Sequence, residues 1–267
     1  AILCYLAEPV EIRGMAMTEE GQVVVHHPAM DYFFNVGRDR SFNSINLVDM
    51  YNLTAEVELG CRKLQYKVSE DDTAFAEDFL QGHTGNIVGF QLGASSADRQ
   101  WSPDSFGRLA DIIRREWSSE IMVFGRGDKE RRALEKMQAV YRGPVIDAID
   151  RTSMSQLTSL VKKCRMLVTN DTGTMHIAAA VGVPVVAVFM GEARAMDTAP
   201  FTEKALILES NLDCAPCSYH TKCYDHRCHR YVTPEDAFWA MENFEGMTGE
   251  NTLQLPDAPG WSRLKQI

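Results

Sequence analysis

Several polar stretches hold residues whose types and spacing can do chemistry. The first is Asp171-Thr172-Gly173-Thr174-Met175-His176. Asp171 and Thr172 are residue types that open helices, and Gly173 lets a ligand come close to the backbone. A helix starting here offers free N–H groups and the positive end of its dipole, a seat for a phosphate. An ordinary capped helix start has the same pattern, and the pattern alone does not separate the two. His176 lies one turn further in, where a lone histidine more often packs or braces than moves a proton. The second stretch carries Ser95, Ser96 and Arg99. Serine hydroxyls donate to phosphate oxygens, and a guanidinium supplies fixed charge with two-pronged geometry. Arg99 also fits a solvated loop. The third is Gly125-Arg126-Gly127-Asp128-Lys129-Glu130, where Glu130 or Asp128 can accept hydrogen bonds from ribose hydroxyls. An acidic helix start favoured by the dipole explains it as well. The fourth is Cys214-x2-Cys217-x5-Cys223-x4-Cys228, with His220, His226 and His229 beside it. Four thiols at this density suit a structural metal, disulfides or free thiols, and the spacing is not that of a standard zinc ribbon.

A regular alternation starting at Asn86 positions these groups. Apolar runs at 87–92, 121–124, 145–147, 166–169, 185–189 and 205–208 read as strands buried on both faces. Helices fill the gaps. Ser102 caps one with Pro103 at its first position, another covers about 129–140, and Ser153-Met154-Ser155-Gln156 is a capping box. Gly182 and Pro184 close the helix that follows Asp171. Such β-α alternation implies an α/β fold with a doubly wound parallel sheet and right-handed crossovers. The loops at 93–101 and 171–176 then leave strands at their carboxyl ends and face one crevice. Trp101 reads as core packing. Before Asn86, 11–17 and 22–27 read as short strands, and 29–53 as mostly helical, broken at Gly37. Phe33, Phe34, Phe42 and Leu47 are its expected core contacts. Ser69-Glu70-Asp71-Asp72 opens a further helix, and 82–85 reads as a linker. A late helix runs from Thr233 to about Phe244, and the tail reads as irregular up to a short terminal turn.

The bulk properties exclude some function classes. A chain of 267 residues with 45% apolar content can bury one large core or two smaller ones. A net charge of −10 argues against a general nucleic-acid binder, which needs a basic surface. No apolar run is long enough to span a bilayer, and nothing resembles a secretory signal. Seven cysteines without such a signal point to a reducing cytoplasm. Cys4, Cys61 and Cys164 read as small buried apolar residues. The chain begins at Ala1 rather than Met.

Three segments together resemble glycosyltransferase family 9, which contains the ADP-heptose lipopolysaccharide heptosyltransferases. They are Asp171 to Ala180 followed by Pro184-Val185-Val186-Ala187; Gln91-Leu92-Gly93-Ala94-Ser95-Ser96-Ala97-Asp98-Arg99-Gln100-Trp101-Ser102-Pro103-Asp104-Ser105-Phe106; and Cys214-Ala215-Pro216-Cys217 running into Thr233-Pro234-Glu235-Asp236. They stand in the family's order and spacing. At Arg99 the family more usually has a lysine.

The resemblance implies a GT-B-type architecture of two Rossmann-like domains. Residues 1–84 would be part of an N-terminal, acceptor-side domain, and 85–245 the nucleotide-sugar-binding domain. The tail, 246–267, would cross back to the first domain, with Trp261 and Leu264 as anchors. The family's opening strand and glycine-rich loop ending in aspartate are not found. Gly127-Asp128 lies in the other domain. The N-terminal domain is therefore expected to be incomplete, which puts catalysis by this chain in question.

The implied reaction moves a heptose from an ADP-sugar to a lipopolysaccharide inner-core or related glycan, with inversion. Ser95, Ser96, Arg99, Glu130, Asp171, Thr172, Gly173 and His176 would bind the nucleotide-sugar. The base would be a carboxylate of the first domain that the sequence does not identify. No cofactor is required, and a structural metal at Cys214, Cys217, Cys223 and Cys228 stays one alternative. Contact with the inner membrane would be peripheral at most. The rival readings are a non-catalytic nucleotide-sugar-binding module and a metal-stabilised interaction domain.

Overall fold

The computed structural model describes residues 11–36, 43–56, 63–83, 85–210, 212–215, 217, 223, 225–244 and the backbone of 263–266. The chain separates into two compact units: residues 1–62 with 196–198, and 63–195 with 199–267.

In the first unit, β1 (Met15–Met17) and β2 (Val23–Val25) form an antiparallel hairpin in which Met15 pairs with Val25. Helices α1 (Pro28–Val36) and α2 (Leu47–Ala55) follow. Asn46 caps α2 by accepting from the Val48 N–H, so that end follows the usual side-chain rule. The helical stretch expected over 29–53 is thus two helices, and the break at Gly37 lies outside the described residues. Met30 and Met50 supply the core. Phe34, expected there, is instead 47% exposed. Unbranched methionines adapt to the gap between two short helices better than rigid rings do. Phe42 lies outside the described residues.

The second unit starts with α3 (Glu70–Phe79), capped by Ser69 through the Asp72 N–H. The alternation then runs β3 (Ile87–Gln91), α4 (Pro103–Trp117), β4 (Glu120–Phe124), α5 (Asp128–Val140), β5 (Val145–Asp147), α6 (Met154–Lys162), β6 (Met166–Asn170), α7 (Gly173–Ala180) and β7 (Val185–Phe189). After the short α8 (Ala195–Thr198), whose residues 196–198 belong to the first unit, comes β8 (Ala205–Glu209), and α9 (Pro234–Phe244) precedes β9 (Arg263–Gln266). The strands form one sheet in the order β5-β4-β3-β6-β7-β8-β9. All pairs are parallel except β8 with β9, which is antiparallel. All six strands expected after Asn86 are present. The end of the chain holds β9, in register with Leu206 to Glu209, where a terminal turn was expected. A free sheet edge recruits any segment that reaches it, and local pattern does not reveal this.

The sheet is covered on both faces, which is why β3, β6 and β7 are buried at every position. On one face Phe90, Val123 and Val168 meet Phe106, Leu109, Ile113, Met137 and Met241 from the helices. On the other, Phe124, Leu167 and Ala187 meet Leu160, Val161, Met175 and Ala178. Each fully buried large side chain contributes roughly 1.5–3 kcal/mol from lost water contact. Ser102 caps α4 through the Ser105 N–H with Pro103 in the first turn, and the Ser153–Gln156 capping box is closed in both directions. Trp101 is fully buried, its ring 4.9 Å from that of Phe106 and its Nε1–H donating to the Val232 carbonyl.

The chain winds outward from the sheet centre in both directions. β3 leads to β4 and β5 on one side, and β6 leads to β7 and β8 on the other. The order therefore reverses between β3 and β6. Crossovers diverge there and leave a crevice above the carboxyl ends of the strands.

Candidate functional site

Two loops rise at that reversal. The loop after β3 carries Ser95, Ser96 and Arg99, with a 3-10 turn over Ala97–Arg99. The loop after β6 is only Asp171 and Thr172 before α7 begins.

Asn170, the last residue of β6, locks the two loops together. It is fully buried. Its Nδ2 donates to the Leu92 carbonyl at 2.9 Å and the Gly93 carbonyl at 3.2 Å, and its Oδ1 accepts from the Trp101 N–H at 2.8 Å. One amide thus satisfies backbone groups that a buried loop would otherwise leave unpaired. The Thr174 hydroxyl adds a second tie by donating to Gln91 Oε1 at 2.9 Å. Asn170 lies one residue past the expected strand 166–169 and was assigned no role from sequence. The available signal was a polar amide closing an apolar run.

Helix α7 begins at Gly173, directly after Asp171 and Thr172. Thr172 occupies the N-cap position in extended conformation, and its side chain makes no capping hydrogen bond. Its hydroxyl lies 3.2 Å from that of Thr169 instead. Thr172 itself therefore leaves the first-turn amides uncapped. Gly173 is exposed, and a Cβ there would meet nothing within 4 Å, so the approach is open. His176 is half-buried on the next turn. Burial holds its imidazole below the ordinary histidine range, with the Asp171 charge opposing.

Arg99 faces Asp171 across the crevice, Nη1 to Oδ2 at 3.5 Å. Its Nε is also 3.2 Å from Oε1 of Glu192, on the loop after β7. The Ser96 hydroxyl donates to the same Glu192 oxygen at 3.2 Å. Asp171 and Glu192 thus share one cation, Arg99. Glu192 carried no recognisable motif and was missed.

Glu130 reaches over the same loop. A Cβ added at Gly93 would sit 2.2 Å from Glu130 Oε1, and one added at Gly125 would sit 2.4 Å from its Cγ. Two glycines thus make room for this side chain. Asp128, the alternative, is exposed at the start of α5. Ser95 is exposed on its loop. The structure therefore brings Ser96, Arg99, Asp171 and Glu192 into contact and sets Glu130 against Gly93. Thr172, Gly173 and His176 follow Asp171 directly in the start of α7.

The cysteine-rich segment flanks the loop after β3. His226 Nδ1 is 3.4 Å from Asp98 Oδ1, and His229 Nε2 is 3.2 Å from the Asp98 carbonyl. The Cys217 N–H donates to the Gly191 carbonyl at 3.0 Å. Cys214, Cys217, Cys223 and Cys228 are free thiols, Cys228 being buried. Burial pushes the Cys217 thiol up to about 11, and Cys228, Cys214, Cys223 and Asp98 add to that shift. Among the described residues, no three of His, Cys, Asp and Glu are arranged to hold a metal ion. His220 lies outside them. Cys164 is buried as expected, and burial raises its thiol far above the ordinary range. Cys4 and Cys61 are outside the described residues.

Comparison with known proteins bears on the family and the fold. The sequence model described as "Glycosyltransferase family 9 (heptosyltransferase)" matches residues 39–227. Lipooligosaccharide heptosyltransferase 2 of Campylobacter jejuni is 27% identical over 187 residues, which is 68% of this chain and 56% of that protein. The structure of Escherichia coli ADP-heptose lps heptosyltransferase II superposes with a TM-score of 0.55 at 24% identity, covering 67% of this chain and 53% of that one. The glycosyl transferase family 9 structure from Veillonella parvula gives 0.64 at 21% identity, covering 78% and 61%. At these identities the two structures bear on fold alone, an α/β arrangement of the GT-B type. The chain spans a little over half the length of the relatives it matches.

Proposed function

Since the chain belongs to glycosyltransferase family 9, we propose that it serves glycosyl transfer from ADP-heptose, or a similar nucleotide-sugar, to a lipopolysaccharide-type glycan. The observation that carries this reading is the start of α7, which the Thr172 side chain does not cap, with Arg99 against Asp171 where the strand order reverses. In this reading the diphosphate lies along the amides of Gly173 and Thr174, with Arg99 opposite. Glu130 accepts from the ribose, and Gly93 lets the nucleotide pass close to the backbone. An acceptor hydroxyl attacks the anomeric carbon, the bond to the diphosphate oxygen breaks, and the hydroxyl proton passes to a carboxylate base. Fixed dipoles aimed at the departing diphosphate lower such a barrier because they need no reorganisation. His176, uncharged near neutrality, would donate an N–H bond there rather than a charge.

The relatives' names, heptosyltransferase 2 and ADP-heptose heptosyltransferase, support this donor and acceptor class. We place the work in the cytoplasm, in keeping with the free thiols. Among the described residues no helix is long and apolar enough to cross a membrane.

Calorimetric titration with ADP tests the site. We expect micromolar-range binding that falls at least tenfold when Thr172 and Arg99 are both replaced by alanine. Unchanged affinity in that variant overturns the assignment. Turnover of ADP-heptose separates transfer from the rival reading of a binding module. Binding without transfer by the longest native chain would leave the module.

A further inference from the structure

A second concave site lies beside the crevice, in the same unit. It is a cavity of about 250 Å³ between the loop after β3 and α5. Gly93, Ala94 and Ser96 line one wall, and Lys129, Arg132 and Lys136 line the other. It shares Gly93 and Ser96 with the loop that borders the crevice, while Arg99, Asp171, Thr172, Gly173 and His176 are not among its lining residues. The volume equals about eight water molecules at roughly 30 Å³ each, enough for a phosphoryl group with part of a sugar ring.

The three cations repeat at i, i+3 and i+7, which puts them within an arc of about 60° on one helix face. Like charges at this spacing weaken a helix. Each is exposed, and none takes part in an ion pair or side-chain hydrogen bond among the described residues. Of the acidic residues of the same helix, Glu130 lies against Gly93 and Gly125, Glu135 is about 100° around the helix from Lys136, and Asp128, about 40° from Arg132, forms no ion pair with it among the described residues. In a chain of net charge −10, three unpaired cations converging on one cavity are a local exception. Arg99, by contrast, already holds two carboxylates. The cavity therefore offers cations that no carboxylate engages among the described residues, and a concave wall concentrates their field.

We propose that this cavity is a second anion site, which takes a phosphate-bearing ligand independently of the diphosphate in the crevice. Lys129 and Lys136 contribute point charges, and Arg132 the two-pronged contact to phosphate oxygens. The source of the phosphate is either the free ion or a phosphate carried on a sugar.

The test titrates the full chain with inorganic phosphate and with glucose 6-phosphate, each with and without saturating ADP. We expect one phosphate site that survives saturating ADP. It should weaken at least tenfold in the triple variant Lys129→Gln, Arg132→Gln, Lys136→Gln, while ADP affinity stays within twofold. These are exposed helix positions and glutamine is a good helix former, and an unchanged thermal melt confirms the fold. A single Arg132→Glu variant should abolish the site by charge reversal. Tighter binding of glucose 6-phosphate names a sugar-borne phosphate, tighter binding of the free ion names inorganic phosphate, and either supports the site. Phosphate binding that ADP displaces one for one overturns the proposal, as does equal binding by wild type and triple variant, or none at millimolar phosphate. Failure of ADP to bind would sink the transferase reading without touching the phosphate titration.

Discussion

Arg99 Nε lies 3.2 Å from Oε1 of Glu192, and the same guanidinium is 3.5 Å from Asp171. One positive and two negative charges share this corner, so its formal sum is −1. A diphosphate entering here meets a cation already engaged by carboxylates. Removing one carboxylate charge should therefore help an anion bind. We expect Glu192→Gln to tighten ADP binding by roughly three- to tenfold at low salt, as loss of a like charge at this range implies. Calorimetry at two ionic strengths measures it. Weaker binding in the glutamine variant would show that Glu192 mainly steadies Arg99 and Ser96 for the ligand.

Asn170 fixes where those charges stand. Asn170→Ala leaves the Trp101 N–H and the Leu92 and Gly93 carbonyls without their buried partner. Each lost partner costs about 1–3 kcal/mol. The variant should unfold at lower urea, with a loss of about 3 kcal/mol, and bind ADP more weakly because the loop after β3 is released. A urea midpoint equal to that of the wild type would remove Asn170 from the account.

His176 gives a pH prediction with a definite sign. Burial holds its folded-state pKa below the unfolded value, so the folded protein favours the neutral ring. The stability from that preference is present above about pH 6.5 and is lost as pH falls through the folded pKa. His176→Gln should flatten the acid side of a stability–pH curve below about pH 6.5. Identical acid slopes for the two proteins would mean that the ring titrates as if exposed.

Much of this was legible because the signals are local. Strands such as Val185–Phe189 are apolar throughout since both faces are covered. Ser102-Pro103 and Ser153–Gln156 are caps whose chemistry sits within four residues. The pairings across the crevice were not legible. Glu192 meets Arg99 from 93 positions away, and Asn170 meets Trp101 from 69, and no periodicity records such contacts. Phe34 was misjudged for the opposite reason. Its apolar character is local, but whether a partner covers it is decided by the rest of the unit.

Gly93 and Glu130 form a pair whose roles can be separated by choice of ligand. Glu130 Oε1 occupies the space that a Cβ at Gly93 would need, so Gly93→Ala must push that carboxylate aside. The side chain is flexible, and the displacement should cost little stability. It should instead cost recognition of the ribose, because an accepting carboxylate in place discriminates for the hydroxyls it meets. We expect Glu130→Ala and Gly93→Ala both to lower ADP affinity about tenfold and to bring ADP and 2′,3′-dideoxy-ADP to near-equal affinity. Asp128→Asn, on the exposed alternative, should keep the wild-type preference for the hydroxylated nucleotide. Should Asp128→Asn erase that preference while Glu130→Ala retains it, the ribose contact belongs to Asp128.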